Sequence, residues 1–312
     1  MSLHAAAQQP SKVPLIGVIL ASPVGGPFAA AFRQGLKDLG YVEGQGIRLE
    51  FRSTEGRPER LPDIAAEIVR LKPDVIVAGG GGPSAHAVMK LTTVIPIVIP
   101  ATADPVRERL AQSLARPGGN VTGLSIVSAE INAKRMQVLK DLLPKVRHVG
   151  MLADPRMGAT NEEAAVVATQ RAARAYGLQV QVFQAGAPEE FEGIFQAAKK
   201  AGVEALIVTP SSTYSVHRKR LADLAAQHRL VAVWEHRQFV LSGGLLSYGP
   251  DIADLYRSAA RYVDKILKGA NPGDLPFEQA TKLELVINAK AAKALGLAIP
   301  AALLVRADQV IQ

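Results

Sequence analysis

Residues Val13–Gly40 read VPLIGVILASPVGGPFAAAFRQGLKDLG, and the rest of the chain repeats their pattern. Val13 to Leu20 is an aliphatic run with the length of a buried strand. Ser22-Pro23 and Gly25-Gly26-Pro27 mark a turn. Phe28, Phe32, Leu36 and Leu39 then recur at helical spacing, and Gly40 stops that helix. The same cycle continues. Ile47–Phe51 reads as a strand, and Leu61, Ile64, Ile68 and Leu71 as a helix. Asp74–Ala78 is a buried strand, followed by Gly79 to Gly82 and a helix from Pro83. Ile95–Pro100 is another strand, and Asp104 ahead of Pro105 predicts a further helix start.

After a Gly-rich joint at 117–124 the cycle restarts. Ile131, Val138, Leu139 and Leu142 mark a helix, and Thr160 with Glu163 reads as a capping box for another. Val149–Ala153, Leu178–Phe183, Ala205–Thr209 and Leu230–Trp234 are strands, with helices near 189–201 and 215–228. Leu245–Tyr248 is a short strand before a long helix, Ile252–Leu267. Leu283–Ile287 is the last strand before a terminal helical stretch. Strands alternating with helices predict an α/β protein of two doubly wound parallel-sheet lobes. Lobe one is expected to hold 13–124 plus 250–282, and lobe two 125–249 plus 283–312. A multi-strand hinge would join them, with crossings near Gly123, Gly244 and Leu283.

The 312 residues suit about two domains of ordinary size. With 48 % hydrophobic and 21 % charged residues, the chain is neither disordered nor fibrous. The 36 Lys and Arg outnumber the 28 Asp and Glu by eight, but the basic runs are short. His217 to Arg220 and the Lys134–His148 stretch read as solvated surface rather than a nucleic-acid site. The absence of cysteine excludes disulfides, a thiol nucleophile and thiolate metal sites, and it accords with an oxidising compartment. No run approaches the length of a membrane span. His4-Ala5-Ala6-Ala7 ahead of Gln8 resembles the small-residue end of a secretory signal, which predicts export to the periplasm with the signal removed.

Ligands of open α/β sheets bind at the carboxyl ends of the strands, near helix N-termini. In lobe one those positions hold Ser22 and Pro23, Gly82 and Ser84, then Thr102 and Asp104. In lobe two they hold Asp154, Thr160 and Asn161, then Ser211 and Ser212, then Glu235 beside His236, and Tyr248. Facing lobes would converge these sets on one cleft, with cap roles competing at Asp104 and Thr160. Gly79 to Gly82 fails the dinucleotide fingerprint, because Ser84 and Ala85 stand where the third glycine belongs. No phosphate loop and no nucleophile elbow is present, and no histidine pair has metal-ligand spacing. A Ser212–His236–Asp154 set is the one hydrolytic combination the loops offer, and nothing in the spacing calls for it. The residues thus call for no catalytic group, metal or cofactor.

Several motifs resemble the ABC-transporter substrate-binding proteins related to the tryptophan- and tyrosine-binding lipoprotein group, which have a type I periplasmic-binding fold. They are Gly35-Leu36 through Leu39-Gly40-Tyr41-Val42-Glu43-Gly44, Lys72-Pro73-Asp74-Val75-Ile76-Val77, Ile95-Pro96-Ile97-Val98 and Asp104-Pro105-Val106. Arg116-Pro117-Gly118-Gly119-Asn120-Val121-Thr122-Gly123, Ile266-Leu267-Lys268-Gly269 and Leu285-Val286-Ile287-Asn288 through Ala294-Leu295-Gly296 continue the likeness from Leu15 to Pro300. The resemblance implies a monomeric receptor that captures a small polar or aromatic solute, an amino acid or related carboxylate. Soluble or lipid-anchored, it would deliver that solute to an ABC permease with a cytoplasmic ATPase. The signal-like terminus favours the free form, which touches the membrane only through that permease. It also implies ligand contacts at Ser22, the Gly82–Ser84 stretch and Asp104. Two departures stand in lobe two: Asp154-Pro155 replaces the family's Asn-Pro turn, and Ser211-Ser212 replaces an Asp after the 205–209 strand. The second removes a partner for an α-ammonium group. The rival readings are an enzyme on the same scaffold, which a turnover assay separates, and a sensory ligand-binding module.

Overall fold

The computed structural model describes residues 13–126, 128–157, 159–280 and 282–312, with backbone alone for 128–130, 157 and 159–162. The sequence around His4 and the side chains of Thr160 and Asn161 therefore lie outside the described residues. The first half runs β1 (Leu15–Leu20), α1 (Pro27–Asp38), β2 (Arg48–Ser53), α2 (Leu61–Arg70), β3 (Val75–Ala78), α3 (Gly82–Met89), β4 (Ile97–Thr102) and β5 (Val121–Ser125). Next come α4 (Ser128–Leu142), β6 (His148–Ala153), α5 (Ala159–Ala175), β7 (Gln179–Gln184), α6 (Phe191–Lys200), β8 (Ala205–Val208), α7 (Ser212–Val216), α8 (Arg218–Gln227), β9 (Val231–Trp234), α9 (Arg237–Leu241) and β10 (Leu246–Pro250). The chain ends with α10 (Ile252–Leu267), β11 (Glu278–Gln279), β12 (Leu283–Asn288), α11 (Ala289–Leu295), α12 (Ala301–Arg306) and β13 (Gln309–Ile311).

Among the described residues these strands form two sheets, ordered β11-β5-β4-β3-β1-β2 and β13-β12-β10-β9-β8-β6-β7. The chain leaves the first sheet after β5, returns after β10 to place α10 and β11, and leaves again after β11. Period-two alternation covers both faces of each sheet. Ile16, Val18 and Leu20 of β1 pack with Phe32 and Leu36 of α1 and with Ala259 and Val263 of α10. Ile19 faces the other way, with Ile64 and Ile68 of α2 and Val88 of α3. In lobe two, Ile207 packs beside Leu139 of α4, and Leu206 and Val208 beside Phe195 and Leu221. Both lobes are α/β, as the alternation predicts.

Three local expectations change. β12 pairs antiparallel with β10, because the chain re-enters lobe two from lobe one rather than through a crossover helix. Val121–Ser125 is a strand rather than part of a joint, held between β4 and β11. Asp104 caps no helix. Its Oδ1 accepts from Val106 N and Arg107 N, but the chain makes a turn and Arg109 takes a left-handed φ of 56°. Among the described residues no helix is long and apolar enough to cross a membrane.

Candidate functional site

The carboxyl ends of β1, β3, β4 and β5 face those of β6, β8 and β9 across a cavity of about 460 Å³. That volume lies within the range of small-molecule sites. Ser22, Gly82, Thr102 and Asp104 line it from lobe one, and Asp154, Ser211, Ser212 and Glu235 from lobe two. Sequence reasoning thus brings eight of its candidates to one place. Pro23 and Tyr248 lie outside the lining, and Ser84 borders only a smaller side pocket. Ser84 Oγ instead donates to Gly79 O at 2.9 Å, tightening the turn before α3. Tyr248 packs at the margin of the lobe-two core and offers its carbonyl, not its ring, toward the site.

The walls are mainly apolar. Phe28, at the start of α1, stacks on Tyr256 of α10 with centroids 5.1 Å apart. Ile126, Ile131 and Ile252 add aliphatic surface. The Gly79–Gly82 run clears room for neighbours: a Cβ at Gly79 would collide with the Tyr256 hydroxyl, and one at Gly82 with Glu108 Oε2. Gly80 and Gly81 take positive φ values of 111° and 76°, which suit glycine.

Polar groups are concentrated on lobe two. Asp154 accepts from Ser211 Oγ at 2.6 Å and from Arg156 Nε at 3.2 Å, so its charge is already matched. Ser211 also caps α7, accepting from Thr213 N and Tyr214 N. Glu235 is buried and its carboxyl is pushed up to about 8, chiefly by burial, against the pull of Arg135 and a hydrogen bond from Ser215. His236 is pushed down to about 3 by burial and by the Arg218 and Arg135 charges, so it is neutral. Its Nε2 meets Ser215 Oγ at 3.2 Å and its Nδ1 has no partner. A Ser212–His236–Asp154 relay is not assembled. The Ser215–His236 contact is not a relay either, because Glu235 lies 3.6 Å from the same ring nitrogen and leaves Nδ1 unoriented. Among the described residues no group of three or more His, Asp or Glu could hold a metal.

Sequence reasoning missed three lining residues that matter. Arg135 is 3 % exposed and donates from Nε to Tyr248 O at 2.8 Å and from Nη2 to Glu235 O at 3.2 Å. Its signal was available, since it falls four residues after Ile131 on the apolar stripe of α4. Asn132 is buried one turn away on the same helix. Glu108 accepts from Thr102 Oγ1 at 2.6 Å and from Asp104 N at 3.2 Å.

Two doubly wound α/β lobes around a shared cavity form the architecture of periplasmic binding proteins. Residues 16–311 match the family described as ABC transporter substrate binding protein. The chain belongs to that family. It is similar to a curated tyrosine-binding protein of Clostridioides difficile (strain R20291), 27 % identical over 266 residues that span 85 % of this chain and 75 % of the relative. Its fold matches that of an ABC domain in complex with L-Trp from Streptococcus pneumonia, with a TM-score of 0.87 and 27 % identity over 96 % of this chain and 99 % of that one. A conserved domain protein from Vibrio cholerae is equally similar in fold, with a TM-score of 0.87 and 30 % identity over 96 % of this chain and 100 % of that one.

Proposed function

We propose that this protein is the extracytoplasmic receptor of an ABC importer and captures an amino acid or related small carboxylate in the interlobe cavity. The carrying observation is Arg135: a buried cation that lines the cavity and is bonded only to main-chain carbonyls is a ready receiver for a carboxylate. The apolar stack of Phe28 and Tyr256 suits the solute's hydrophobic body. The tyrosine- and tryptophan-binding relatives support the same ligand class. Among the described residues, no side-chain hydrogen bond or ion pair joins lining residues of opposite lobes. Closure around the cavity would therefore depend on what fills it, and the closed state is the form a permease with a cytoplasmic ATPase would read. In this reading the two lobes, 13–124 plus 250–282 and 125–249 plus 283–312, move as bodies about their three crossings. The protein acts in the periplasm.

The test is thermal unfolding against amino acids, aromatic acids, small carboxylates, sugars and nucleosides. A ligand present at 100 times its Kd stabilises the fold by about 2.7 kcal/mol. That corresponds to roughly 2–4 °C of Tm per kcal/mol for lobes of this size. Saturable shifts confined to carboxylate-bearing solutes are expected. Shifts with sugars or nucleosides alone would overturn the reading.

A further inference from the structure

An edge strand presents a row of unpaired N–H and C=O groups, and folded proteins blunt such edges with charge, proline or brevity. Three of the four edges of the two sheets follow that rule. β11 has two residues and β13 three. β2 carries Arg48, Glu50 and Arg52, with Arg52 paired to Glu50 at 3.5 Å and to Glu67 at 3.0 Å. β7 is the exception. Its six residues read Gln-Val-Gln-Val-Phe-Gln, rich in strand formers and free of charge and proline. Gln179 and Gln181 are exposed, Val180 and Val182 are half-buried, and among the described residues no strand lies beyond β7. Gln179 N donates to Arg147 O at 2.8 Å, and Ala185 N to Ala153 O at 3.0 Å. Odd-numbered residues thus turn their main-chain groups toward β6, which leaves the N–H and C=O of Val180 and Val182 facing outward.

We propose that β7 pairs with β7 of a second copy of this chain, antiparallel about a two-fold axis at Gln181. Val180 then faces the partner's Val182, and Val182 the partner's Val180, through main-chain hydrogen bonds in both directions. Gln181 meets the partner's Gln181, and Gln179 the partner's Phe183. The helices beside the edge select this direction. α5 covers one face of the edge, beside Val180, and α6 the other, beside Phe183. α5 carries Glu163 near its start and Arg171 and Arg174 toward its end, and α6 carries Glu192 in its first turn and Lys199 and Lys200 in its last. Antiparallel copies bring the acidic start of each helix toward the basic end of its counterpart, whereas parallel copies would align like with like. Such an isologous pairing closes at two copies. β7 lies at the opposite edge of its sheet from β10 and β12, which carry crossings, so the lobes of each copy remain free to close. The pairing goes beyond the receptor reading and stands whatever the cavity holds. It departs from the monomer that the family resemblance implies.

Analytical ultracentrifugation of the full chain from micromolar to millimolar concentration tests this. The mean mass should rise from that of one chain toward that of two and stop there. Gln181→Lys sets two like charges opposite each other across the pair, and should raise the dissociation constant of the dimer by about fivefold or more. Gln181→Glu should do the same. Because Gln181 is exposed, both variants should unfold at the wild-type urea midpoint. Mixing the two variants should restore association, since the opposed charges then attract. If wild type keeps the mass of one chain throughout, if its mass rises past two chains, or if Gln181→Lys associates as wild type does, the pairing is overturned. A mixture that associates no better than either variant alone would overturn it as well.

Discussion

Glu235 and His236 are neighbours in sequence, are both buried, and titrate in opposite senses. Glu235 rises from its ordinary 4.5 to about 8, so the folded state holds a proton that the unfolded state releases across that interval. Its contribution to stability is intact below pH 4.5 and is lost as pH rises toward 8. His236 falls from 6.5 to about 3, so its contribution is intact above pH 6.5 and is lost as pH falls. Burial shifts Glu284 upward and His217 downward in the same two senses. Between pH 4.5 and 6.5 the opposing slopes largely cancel. Above 6.5 the buried carboxyls titrate without that opposition, and below 4.5 the histidines do, joined by Asp38, Glu190, Glu192 and Glu204, whose hydrogen bonds hold their carboxyls below the usual range. The thermal midpoint should therefore be nearly level across pH 4.5–6.5 and fall on both sides. Glu235→Gln should shrink the alkaline fall to what Glu284 leaves and keep the acid fall, as unfolding scans at stepped pH would register. Arg135→Gln should act differently, because it leaves the carbonyls of Tyr248 and Glu235 unpaired. A loss of about 1–3 kcal/mol is expected at every pH in urea titrations.

Between elements, the contact of α1 with α10 fixes where the returning chain docks on lobe one. Gly35 sits at the crossing: a Cβ there would collide with the Arg257 carbonyl oxygen and lie 2.9 Å from Ala260 Cβ. Tyr41 Oη donates to Asp264 at 2.9 Å, and Arg257 Nε to Asp38 at 2.8 Å, flanking the same interface. Gly35→Ala should therefore destabilise the protein by about 1–3 kcal/mol through overpacking, seen as a lower urea midpoint. A midpoint equal to wild type would mean that α10 can shift without loss. The stripe Phe28, Phe32, Leu36 was legible because amphipathic spacing is a local property. β5 was not, since Val121-Thr122-Gly123-Leu124-Ser125 has little aliphatic density and owes its strand conformation to β4 and β11 on either side. The turn at 105–109 carries sound helix-start signals that tertiary contacts override: Arg109 leaves the helical region and Gln112 N is taken by Pro117 O. Arg135 shows how the site divides. Charge counted by neighbourhood puts it on a basic surface with Lys134 and Lys140, whereas spacing from Ile131 puts it inside. Glu108 had no sequence signal at all, because its place is set by Thr102 and by the missing side chain of Gly82.

At the scale of the whole molecule, the chain crosses between the sheets three times, and two of the crossings are tied together by charge. Arg237 pairs with Asp251, which caps α10, and with Glu284 on β12, each at 3.3 Å. Away from these crossings the lobes meet through apolar contacts. Phe28 of lobe one meets His236 of lobe two edge-on at 6.2 Å. At another point Gly56, with φ of 76°, packs so closely on Val216 of α7 that a Cβ would lie 2.9 Å from Val216 Cγ1. Gly56 and Val216 belong to different lobes, so bulk at this point opposes closure without entering the cavity or either core. Val216→Trp should hold the lobes apart. Because Val216 is not fully buried, the variant's own unfolding free energy should stay within about 0.5 kcal/mol of wild type. Its affinity for the solute should drop at least tenfold. Small-angle scattering should show wild type compacting with saturating ligand and Val216→Trp failing to do so. If the variant compacts as wild type does, closure does not pass through the Gly56–Val216 contact, and the motion must pivot so as to leave that contact untouched.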